Sequence, residues 1–470
     1  MTNDVRIGLE THLQLMTKSK LFCGCPNRGV EEPNTRTCPT CLGMPGARPQ
    51  VNKRAIEMGI KIAKALGCKI PKEMNFSRKT YFYPDMPKNF QTTQFSLPIG
   101  TNGQIKMELG GEEKTVRIKR VHLEEDPGKL KHVGGGITSA DYVLVDYNRS
   151  GTPLCEVVTE PDLSSPNEAR IFLRKLSDIF EYLKVYDSTG EGTIRSDANV
   201  STWSERTEVK NITGFKDIEK ALIYEIRRQK NLKKRGKEVI RETRTYDDST
   251  GTTKSLRTKE KEADYGYIFD PDLTRIELHT DWIEKLAKDI PELPHEKKRR
   301  YVEEYGVSRE VAVTISSDFE LAKTFEKLID DLDVERASSM LAGPVKKVLN
   351  YNDMRFKESK LTTEKIKKLL DMIDEGQVTE RNAEMILRVV ATENKDPERV
   401  KEDKGFGKVT ENKTKEIVER VLEENKDAAE DYIKGKDEAL NHLVGQVMKG
   451  SGGSADPREA RKLLKDMIKD

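Results

Sequence analysis

Residues 115–123 read TVRIKRVHL and residues 141–147 read DYVLVDY, so β-branched and other apolar side chains recur in short runs with polar residues between them. Alternation with a period of two is typical of a strand that buries one face. Turns rich in glycine and proline separate such runs up to about residue 290. The sequence therefore predicts a mainly antiparallel sheet with inserted helices in the N-terminal part of the chain.

Two helices are predicted within this sheet region. Residues 52–67 carry an amphipathic pattern that ends at a glycine, and residues 165–185 carry a second one. In the second helix we expect Ser165 to be the N-cap, because Pro166 suits the first helical position.

The strand pattern ends near residue 293. From there on, apolar residues recur at helical spacing between capping threonines and terminating glycines. We therefore expect an α+β protein, with an N-terminal, mainly antiparallel cradle domain followed by all-helical domains. The predicted boundaries are residues 1–292 for the cradle and catalytic domain, 293–405 for a helical domain and 406–470 for a helical tail domain.

Composition excludes some classes of protein and leaves others open. Charged residues make up 35% of the 470 residues, yet the formal net charge is only +2, so the overall charge does not indicate a polyanionic partner. The basic clusters at residues 227–244 and 295–300 are typical of solvated helix faces and do not by themselves predict RNA binding. No apolar run reaches the roughly 18–20 residues that span a bilayer. We expect a cytoplasmic protein that makes no membrane contact.

Four of the six cysteines form a paired motif, Cys23-x-Cys25 followed by Cys38-x-x-Cys41. Thiolates at such short spacings can converge on one tetrahedral zinc ion from two tight turns. The alternative, four unrelated thiols, does not account for the paired spacing. Since sulfur would occupy all four coordination positions, we predict a structural zinc knuckle at residues 22–42.

Strand alternation also selects carboxylates for a second metal site. In IGLETHLQL, Glu10 and His12 share one strand face, although such a face is more often simply solvated. In VHLEEDPGK, Glu124 and Glu125 point to opposite faces, so one of them can join Glu10 and His12 around a hard cation while the other faces a different cavity. Glu156, after a Gly-Thr-Pro turn, is a further candidate. Carboxylates with an imidazole suit Mg²⁺ beside phosphate oxygens.

Other polar residues are candidates for lining a passage. In RKTYFYPDMPKNFQ, Lys79 and Lys88 bracket three aromatic residues, which could also be a plain core anchor. Lysines beside acids can relay protons. The sequence contains no phosphate loop of the GxxxxGK[ST] type. An ATP site would therefore be of another type. Two later strand-like stretches are unusually polar, with Arg195, Asp197, Asn199, Glu208, Lys210 and Asn211.

These motifs, in their order and spacing, resemble the B-subunit of the aspartyl/glutamyl-tRNA amidotransferases. The helical remainder is similar to the helical and YqeY-like tail domains of that family. One departure is Gly266, which stands where the family commonly has an arginine. The resemblance runs from residue 5 to about residue 275, through IGLETHLQL, the cysteine motif, RKTYFYPDMPKNFQ, HLEEDPGK, NRSGTPLCEVVTEPDL, EGTIRSDANVS, EVKNI, YEIRRQ, ETRTYD and KEKEADYGYIFDPDL.

The resemblance implies a heterotrimer with two partners, an amidase A-subunit, which is a glutaminase, and a small C-subunit. It implies that ATP and Mg²⁺ are used to phosphorylate the side-chain carboxylate of Glu-tRNA(Gln) or Asp-tRNA(Asn), which then receives ammonia that the amidase makes from glutamine. The assignment of Glu124 to the metal and Glu125 to the ammonia channel depends on strand alternation as well as on the resemblance. A local bulge in the strand would exchange the two roles. The implied catalytic magnesium ligands are Glu10, His12, Glu124 and Glu156, and the implied channel residues are Lys79, Lys88, Glu125 and Asp197.

A scaffold that binds tRNA through a zinc knuckle, with no chemistry of its own, is the alternative. It would leave Glu10, His12 and Glu156 as surface groups. A scaffold for a polyanion has no reason to gather carboxylates in its cleft, which favours the enzyme.

Overall fold

The computed structural model describes residues 4–29, 32–135, 140–186, 194–258, 266–407, 411–433, 435–452 and 454–469. Parts of two motifs quoted above, residues 191–193 and 259–265, lie outside the described residues. The chain divides into two units, Met1–Leu293 and Pro294–Asp470. None of the helices in the described ranges is both long and apolar enough to cross a membrane.

The first unit is built on strands, as the alternating pattern predicts. In chain order they are β1 (Arg6–Gln14), β2 (Glu73–Met74), β3 (Ser77–Thr80), β4 (Phe90–Thr93), β5 (Gly100–Leu109), β6 (Glu112–Glu125), β7 (Lys129–Val133), β8 (Tyr142–Asp146), β9 (Pro153–Thr159), β10 (Arg195–Ser201), β11 (Thr207–Thr213), β12 (Glu242–Asp247), β13 (Thr252–Thr258), β14 (Ile268–Phe269) and β15 (Ile276–Glu277).

Eleven of these strands form one sheet in the order β13-β12-β11-β10-β1-β9-β6-β4-β3-β14, with β5 beside β6. Neighbours pair antiparallel except β11 and β12, which are parallel. The prediction of a mainly antiparallel sheet is therefore confirmed. Strands β9 and β1 lie near its centre, between β6 and β10, so residues distant in sequence share one face.

In the described ranges of the first unit, four α-helices accompany the sheet, α1 (Lys53–Ala65), α2 (Pro166–Tyr182), α3 (Phe215–Lys234) and α4 (Thr280–Lys288). The side chain of Asn52 caps α1 by accepting hydrogen bonds from the amides of Arg54 and Ala55. Ser165 caps α2 by accepting from the amide of Glu168, as predicted from the proline that follows it. Both predicted helices are present, and each is a few residues shorter than its amphipathic pattern.

The run DYVLVDY forms a strand outside the main sheet. Strand β8 pairs with β7 in a separate two-stranded hairpin. Tyr142 and Leu144 are more than half exposed on this hairpin. A short β-type run predicts a strand but does not identify the strand that pairs with it, which explains this difference from the expected single sheet.

A buried ring of charges joins α3 to the sheet edge. Glu225 is fully buried, and Arg228 contacts both Glu225 at 2.7 Å and Glu242 at 3.0 Å. Arg244 approaches the same two carboxylates, at 3.5 Å from Glu225 and 2.9 Å from Glu242. Two acids and two arginines thus neutralise one another, and losing one member would leave a buried charge without its full set of partners.

We expect Arg244→Met to lower the free energy of unfolding of the first unit by about 3 kcal/mol, because two buried carboxylates lose a partner. Urea unfolding followed by tryptophan fluorescence measures this, since Trp203 and Trp282 both lie in the first unit. Lys254→Met is the control, because it breaks only the exposed pair with Asp247. Equal losses in the two variants would contradict the stabilising role of the ring.

All regular elements in the described residues of the second unit are helices, joined by short loops, which confirms the predicted α+β class. A π-helical turn, Leu341–Val345, contains Pro344, and a 3₁₀ turn spans Phe356–Glu358. The α-helices are α5 (Pro294–Glu303), α6 (Arg309–Ser316), α7 (Phe319–Leu328), α8 (Val334–Met340), α9 (Lys346–Tyr351), α10 (Thr363–Asp374), α11 (Glu380–Glu393), α12 (Pro397–Lys404), α13 (Glu411–Glu424), α14 (Lys426–Ile433), α15 (Asp437–Gly450) and α16 (Pro457–Lys469).

The last helices share a hydrophobic cluster. Val418 on α13, Leu443 and Val447 on α15, and Leu464 on α16 are fully buried in it. Apolar residues at helical spacing form this core, in line with the pattern of the sequence. The three-domain division, with its boundary at residues 405 and 406, stays a prediction.

Candidate active site and metal centres

Three strands at the centre of the sheet bring two histidines and a carboxylate into one row. The register pairs Glu156 of β9 with His12 of β1 on one side and with His122 of β6 on the other. Directly paired residues point to the same face of a sheet. Glu124, two residues after His122, also lies on this face.

The side chains of this row are close enough to share one cation. His12 Nε2 lies 3.3 Å from Glu156 Oε2 and 3.9 Å from Glu124 Oε1. His12, Glu124 and Glu156 each offer a ligand atom within 4.8 Å of the others. His122 Nε2 is also close to these carboxylates, at 3.4 Å from Glu156 and 3.9 Å from Glu124. Two carboxylates and an imidazole are a suitable donor set for a hard divalent cation such as Mg²⁺.

Burial and charge act against each other on the carboxylates. Burial by itself would raise the pKa of Glu156, but attraction to His122 and His12 holds that pKa well below its usual range. Burial likewise opposes ionisation of Glu124, yet a hydrogen bond with His122 leaves its pKa lowered. Both groups are therefore anionic at neutral pH, as carboxylates must be to bind a cation.

The same contacts favour the protonated form of both histidines when no metal is present. Burial would lower the pKa of His12, but the charge of Glu156 and its hydrogen bond raise that pKa to about 10. Burial is also outweighed at His122, where attraction to Glu156 leaves the pKa raised. A cation that binds at Nε2 of His12 must displace its proton.

We expect magnesium binding to the wild-type chain at pH 7 to release close to one proton, because His12 is protonated in the metal-free state. Calorimetric titrations in two buffers with different ionisation enthalpies measure the number of protons released. The His12→Gln variant, which has no proton to lose at this position, should release far fewer. A binding heat that is independent of the buffer in the wild type would contradict His12 as a ligand.

A second acidic group lies beside the first, around Glu10. Strand pairing places Glu10 opposite Asp197, and ligand atoms of Glu10, Asp197 and Glu208 lie within 4.8 Å of one another. Lys210 Nζ is 2.7 Å from Asp197 and 3.7 Å from Glu208, so this group contains its own cation. Asn199 donates a hydrogen bond of 2.9 Å to Glu10.

The placement of Glu10 differs from the expected four-residue magnesium set. Burial raises the pKa of Glu10, and repulsion from Glu156 and Glu208 adds to the increase. Glu10 is thus repelled by Glu156 of the first group, but its ligand atom lies with those of Asp197 and Glu208 in the second group. Asp197, expected in the channel, lies in this second group as well, because β10 pairs with β1 and points its polar face the same way.

The two adjacent glutamates of β6 point to opposite faces, as alternation predicts. Glu124 pairs with Leu154 and Glu125 with Pro153 without a break, and the irregularity in this strand pair lies earlier, between Ile118 and Arg120. Glu125 Oε1 accepts hydrogen bonds from Lys88 Nζ and from the amide of Thr92. No bulge therefore exchanges the two faces.

The remaining channel candidate, Lys79, is linked to Glu125 through intermediates. Lys79 Nζ lies over the ring of Tyr81 at 5.7 Å. The Tyr81 hydroxyl donates to Gln91 Oε1 at 3.3 Å, and Gln91 Nε2 donates to the carbonyl of Glu125 at 2.8 Å. Of the four predicted channel residues, the structure brings Lys88 and Glu125 into direct contact.

The cysteine motif folds into a compact metal-binding geometry. Ligand atoms of Cys23, Cys25, Cys38 and Cys41 lie within 4.8 Å of one another. The amide of Cys38 also donates to Cys41 Sγ at 3.1 Å, which favours a thiolate there. A hydrogen bond with Cys23 is the main reason that the pKa of Cys41 is lowered to about 5. Four convergent sulfurs fit a tetrahedral zinc ion.

A cavity of about 240 Å³ lies between this knuckle and the Lys88–Glu125 pair. Gly43, just after the last cysteine, has a φ of +66°. A Cβ atom there would lie 2.4 Å from Cγ of Lys88. Glycine is needed at this position both for its conformation and for the close approach, so the knuckle contacts the stem of Lys88 directly.

The sequence-based prediction assigns no role to several residues of the site. His122 is one of them, although it lies two residues before Glu124 and alternation places both on one face. The sequence marks Glu208, Lys210 and Asn199 only as polar residues. Their grouping depends on β10 and β11 lying next to β1, and the sequence pattern of a single strand does not contain that information.

Two family models match the chain, one described as GatB/GatE catalytic domain over residues 5–284 and one described as GatB domain over residues 323–468. The aspartyl/glutamyl-tRNA(Asn/Gln) amidotransferase B-subunit of Natronomonas pharaonis is 45% identical over 98% of this chain and 96% of its own length. The B-subunit proteins of Methanococcoides burtonii and Haloquadratum walsbyi are 44% and 43% identical, each over 99% of this chain and over 98% and 97% of their own lengths. The chain therefore belongs to the family of aspartyl/glutamyl-tRNA(Asn/Gln) amidotransferase B-subunits.

Proposed function

We propose that this chain is the subunit of a tRNA-dependent amidotransferase that activates the side-chain carboxylate of Glu-tRNA(Gln), Asp-tRNA(Asn) or both. The activated group is then amidated to give Gln-tRNA(Gln) or Asn-tRNA(Asn). Membership of the family supports the overall reaction. The observation that carries the placement of the chemistry is the buried group of His12, Glu124 and Glu156, which faces the same side of the sheet as Glu10.

The reaction needs an activation step because a carboxylate is a poor acyl electrophile. Transfer of the γ-phosphoryl group of ATP to a carboxylate oxygen gives an acyl phosphate and ADP, with phosphate as a good leaving group. His12, Glu124 and Glu156 would hold Mg²⁺, which neutralises negative charge on the transferred phosphoryl group. Glu10 is a further ligand candidate from the neighbouring group.

The chain's own contacts keep these ligands in position. Thr93 donates to Glu124 Oε2 at 3.3 Å, and His122 lies against both Glu124 and Glu156. Held carboxylates lose less entropy when a cation binds than mobile ones do. Lys210 balances the charge of Asp197 and Glu208 beside the site, and its pKa is raised well above its usual value because their attraction outweighs burial.

Ammonia would reach the acyl phosphate from the opposite face of the sheet. We propose that Lys88 and Glu125 line and gate its passage from the amidase A-subunit on that face. Lys79 and Asp197, which lie on the face of the metal group, would line the end of the passage there. The third member, the small C-subunit, completes the heterotrimer. Glu125 can accept a proton from ammonium, so that the nitrogen lone pair is free to attack the acyl carbon and expel phosphate. A closed passage also limits hydrolysis of the acyl phosphate by water.

The other parts of the proposal concern the cofactors and the cell compartment. ATP is the phosphoryl donor, Mg²⁺ the catalytic cation and Zn²⁺ the structural metal of Cys23, Cys25, Cys38 and Cys41. The protein works in the cytoplasm, without membrane contact. The second candidate function is the tRNA-binding scaffold without chemistry, which would need no buried carboxylates opposite two histidines.

The experiment is ATP turnover to ADP by the reconstituted complex, with Mg²⁺ present and glutamine absent. Glu-tRNA(Gln) is compared with correctly charged Gln-tRNA(Gln), which has no side-chain carboxylate to activate. We expect turnover only with the misacylated tRNA, and loss of turnover with retained tRNA binding in Glu10→Gln. Turnover that is unchanged in Glu10→Gln, and in variants of His12 and Glu156, would favour the scaffold.

A further inference from the structure

Lys20 is a lysine with no exposed surface, next to the cysteine knuckle. Its Nζ donates to the carbonyl of Arg36 at 2.8 Å and to the carbonyl of Tyr147 at 3.3 Å, and it lies 3.7 Å from Cys41 Sγ. The stem passes close to Gly151, where an added Cβ would lie 3.5 Å from Lys20 Cδ. The side chain is thus fixed between the knuckle and the turn that precedes β9.

A buried ammonium group needs a negative partner, because transfer of a charge from water into a protein interior is costly. Within the part of the chain that the structure describes, no carboxylate lies within 4.0 Å of Lys20 Nζ. The two carbonyls are neutral acceptors. The remaining contact is a sulfur of the four-cysteine group.

The net charge of a zinc-loaded knuckle supplies the missing partner. Metal-bound cysteines are thiolates, so four of them around one Zn²⁺ leave two surplus negative charges. Three of the four cysteines are partly exposed, whereas Cys41, the one that Lys20 contacts, is buried. The buried side of the cluster is therefore the side on which water is least able to compensate this charge.

We propose that Lys20 is the counter-charge of the zinc–thiolate cluster and a positioning residue for Cys41. Its ammonium cancels one of the two surplus charges and donates to the Cys41 sulfur, while its bonds to the two carbonyls tie the cluster to the turn at residues 147–151. This inference rests on the proposal that the four cysteines hold zinc. It assigns Lys20 no part in phosphoryl or ammonia transfer.

The test measures zinc release from the purified full-length chain after addition of a chelator in excess, with a chromophoric zinc indicator. Lys20→Gln keeps a hydrogen-bond donor but removes the charge, and Lys20→Met keeps the stem alone. Loss of a partner in the shell around metal ligands typically costs about 10–100-fold in affinity, so we expect faster release of that order in both variants. Lys18→Gln, at an exposed lysine two residues away, is the matched control and should release zinc like the wild type.

A double-mutant cycle separates charge from structure. Cys25→His replaces a partly exposed thiolate by a neutral imidazole and removes one surplus charge from the cluster. We expect Lys20→Gln to accelerate release severalfold less in the Cys25→His background than in the wild-type cluster. Equal acceleration in both backgrounds, or none in either, would overturn the counter-charge role.

Two further outcomes are also decisive. If Lys20→Gln does not fold in the wild-type background, recovery of folded, zinc-containing protein in the Cys25→His background supports the proposal, and failure in both backgrounds overturns it. If metal analysis of the wild-type chain finds no zinc, the zinc assignment and the role of Lys20 both fail. Zinc in the wild type with unchanged release from the Lys20 variants overturns the role of Lys20 alone.

Discussion

Replacing Glu156 by glutamine should reduce ATP turnover in the presence of misacylated tRNA by at least about 100-fold, the effect typical of removing one preorganised charged group from a transition-state site. Glutamine has almost the same shape, so the sheet should remain intact. The change removes the carboxylate that faces both His12 and His122 at 3.3 and 3.4 Å. His12 and His122 would then lose the carboxylate that most raises their pKa values, and Glu124 would be the one carboxylate left to hold a cation beside them.

The matched control is Glu160→Gln, which neutralises a carboxylate just beyond the end of the same strand, near Arg117. We expect its turnover to stay close to that of the wild type. Steady-state rates at several magnesium concentrations distinguish weaker metal binding from a slower chemical step. Equal turnover in Glu156→Gln and the wild type at saturating magnesium would contradict the placement of the metal at His12, Glu124 and Glu156.

Replacing Lys88 by methionine should reduce amidation with glutamine as the nitrogen donor far more than amidation with added ammonium salt. We expect amidation with glutamine to fall by about 100-fold, in the range usual for loss of a proton-transfer group, because Glu125 loses its buried cation. Amidation with a high concentration of added ammonium salt should change little, since the proposed phosphorylation site lies on the other face of β6. Parallel assays of amide formation with the two nitrogen donors measure this ratio.

Lys114→Met is a suitable control for Lys88→Met. Lys114 also forms a lysine–glutamate pair, at 2.6 Å from Glu168, but this pair joins β6 to α2 away from the cavity. It should leave both nitrogen sources equally effective. If Lys88→Met reduces glutamine-dependent and ammonium-dependent amidation to the same extent, Lys88 does not gate an ammonia passage.

Alternation along single strands was one of the two most informative features of the sequence. It separated Glu124 from Glu125 correctly in the structure, because side-chain direction in a regular strand depends only on position. It also placed Glu10 and His12 on one face. The spacing of the cysteines was equally informative, since two short turns leave few other ways to arrange four thiols.

Sequence patterns do not show which strands lie next to one another in the sheet. The row His122, Glu156 and His12 joins three strands that are far apart in the chain, and only their register shows which side chains meet. Glu10 therefore grouped with Asp197 and Glu208 across β10 and β11, where single-strand patterns could not place it. The same limit applies to β8, whose sequence predicts a strand. It pairs with β7 in a separate hairpin and does not join the large sheet.

Lys20 illustrates a different limit. A lysine in a charged protein is normally interpreted as a surface residue, because full burial of an ammonium group is rare. Its burial results from the packing of the knuckle against the turn that carries Gly151, a tertiary contact that no local sequence pattern contains.

The most direct test of the central claim follows oxygen from the substrate carboxylate. Glu-tRNA(Gln) labelled with oxygen-18 in its side-chain carboxylate is converted by the reconstituted complex, and the released phosphate is analysed by mass spectrometry. If the carboxylate is phosphorylated in the site of His12, Glu124 and Glu156, each phosphate released with amide product carries one labelled oxygen, and Glu156→Gln yields almost none. Unlabelled phosphate from the wild type, or labelled phosphate from Glu156→Gln at the wild-type rate, would contradict the placement of the phosphorylation step in this site.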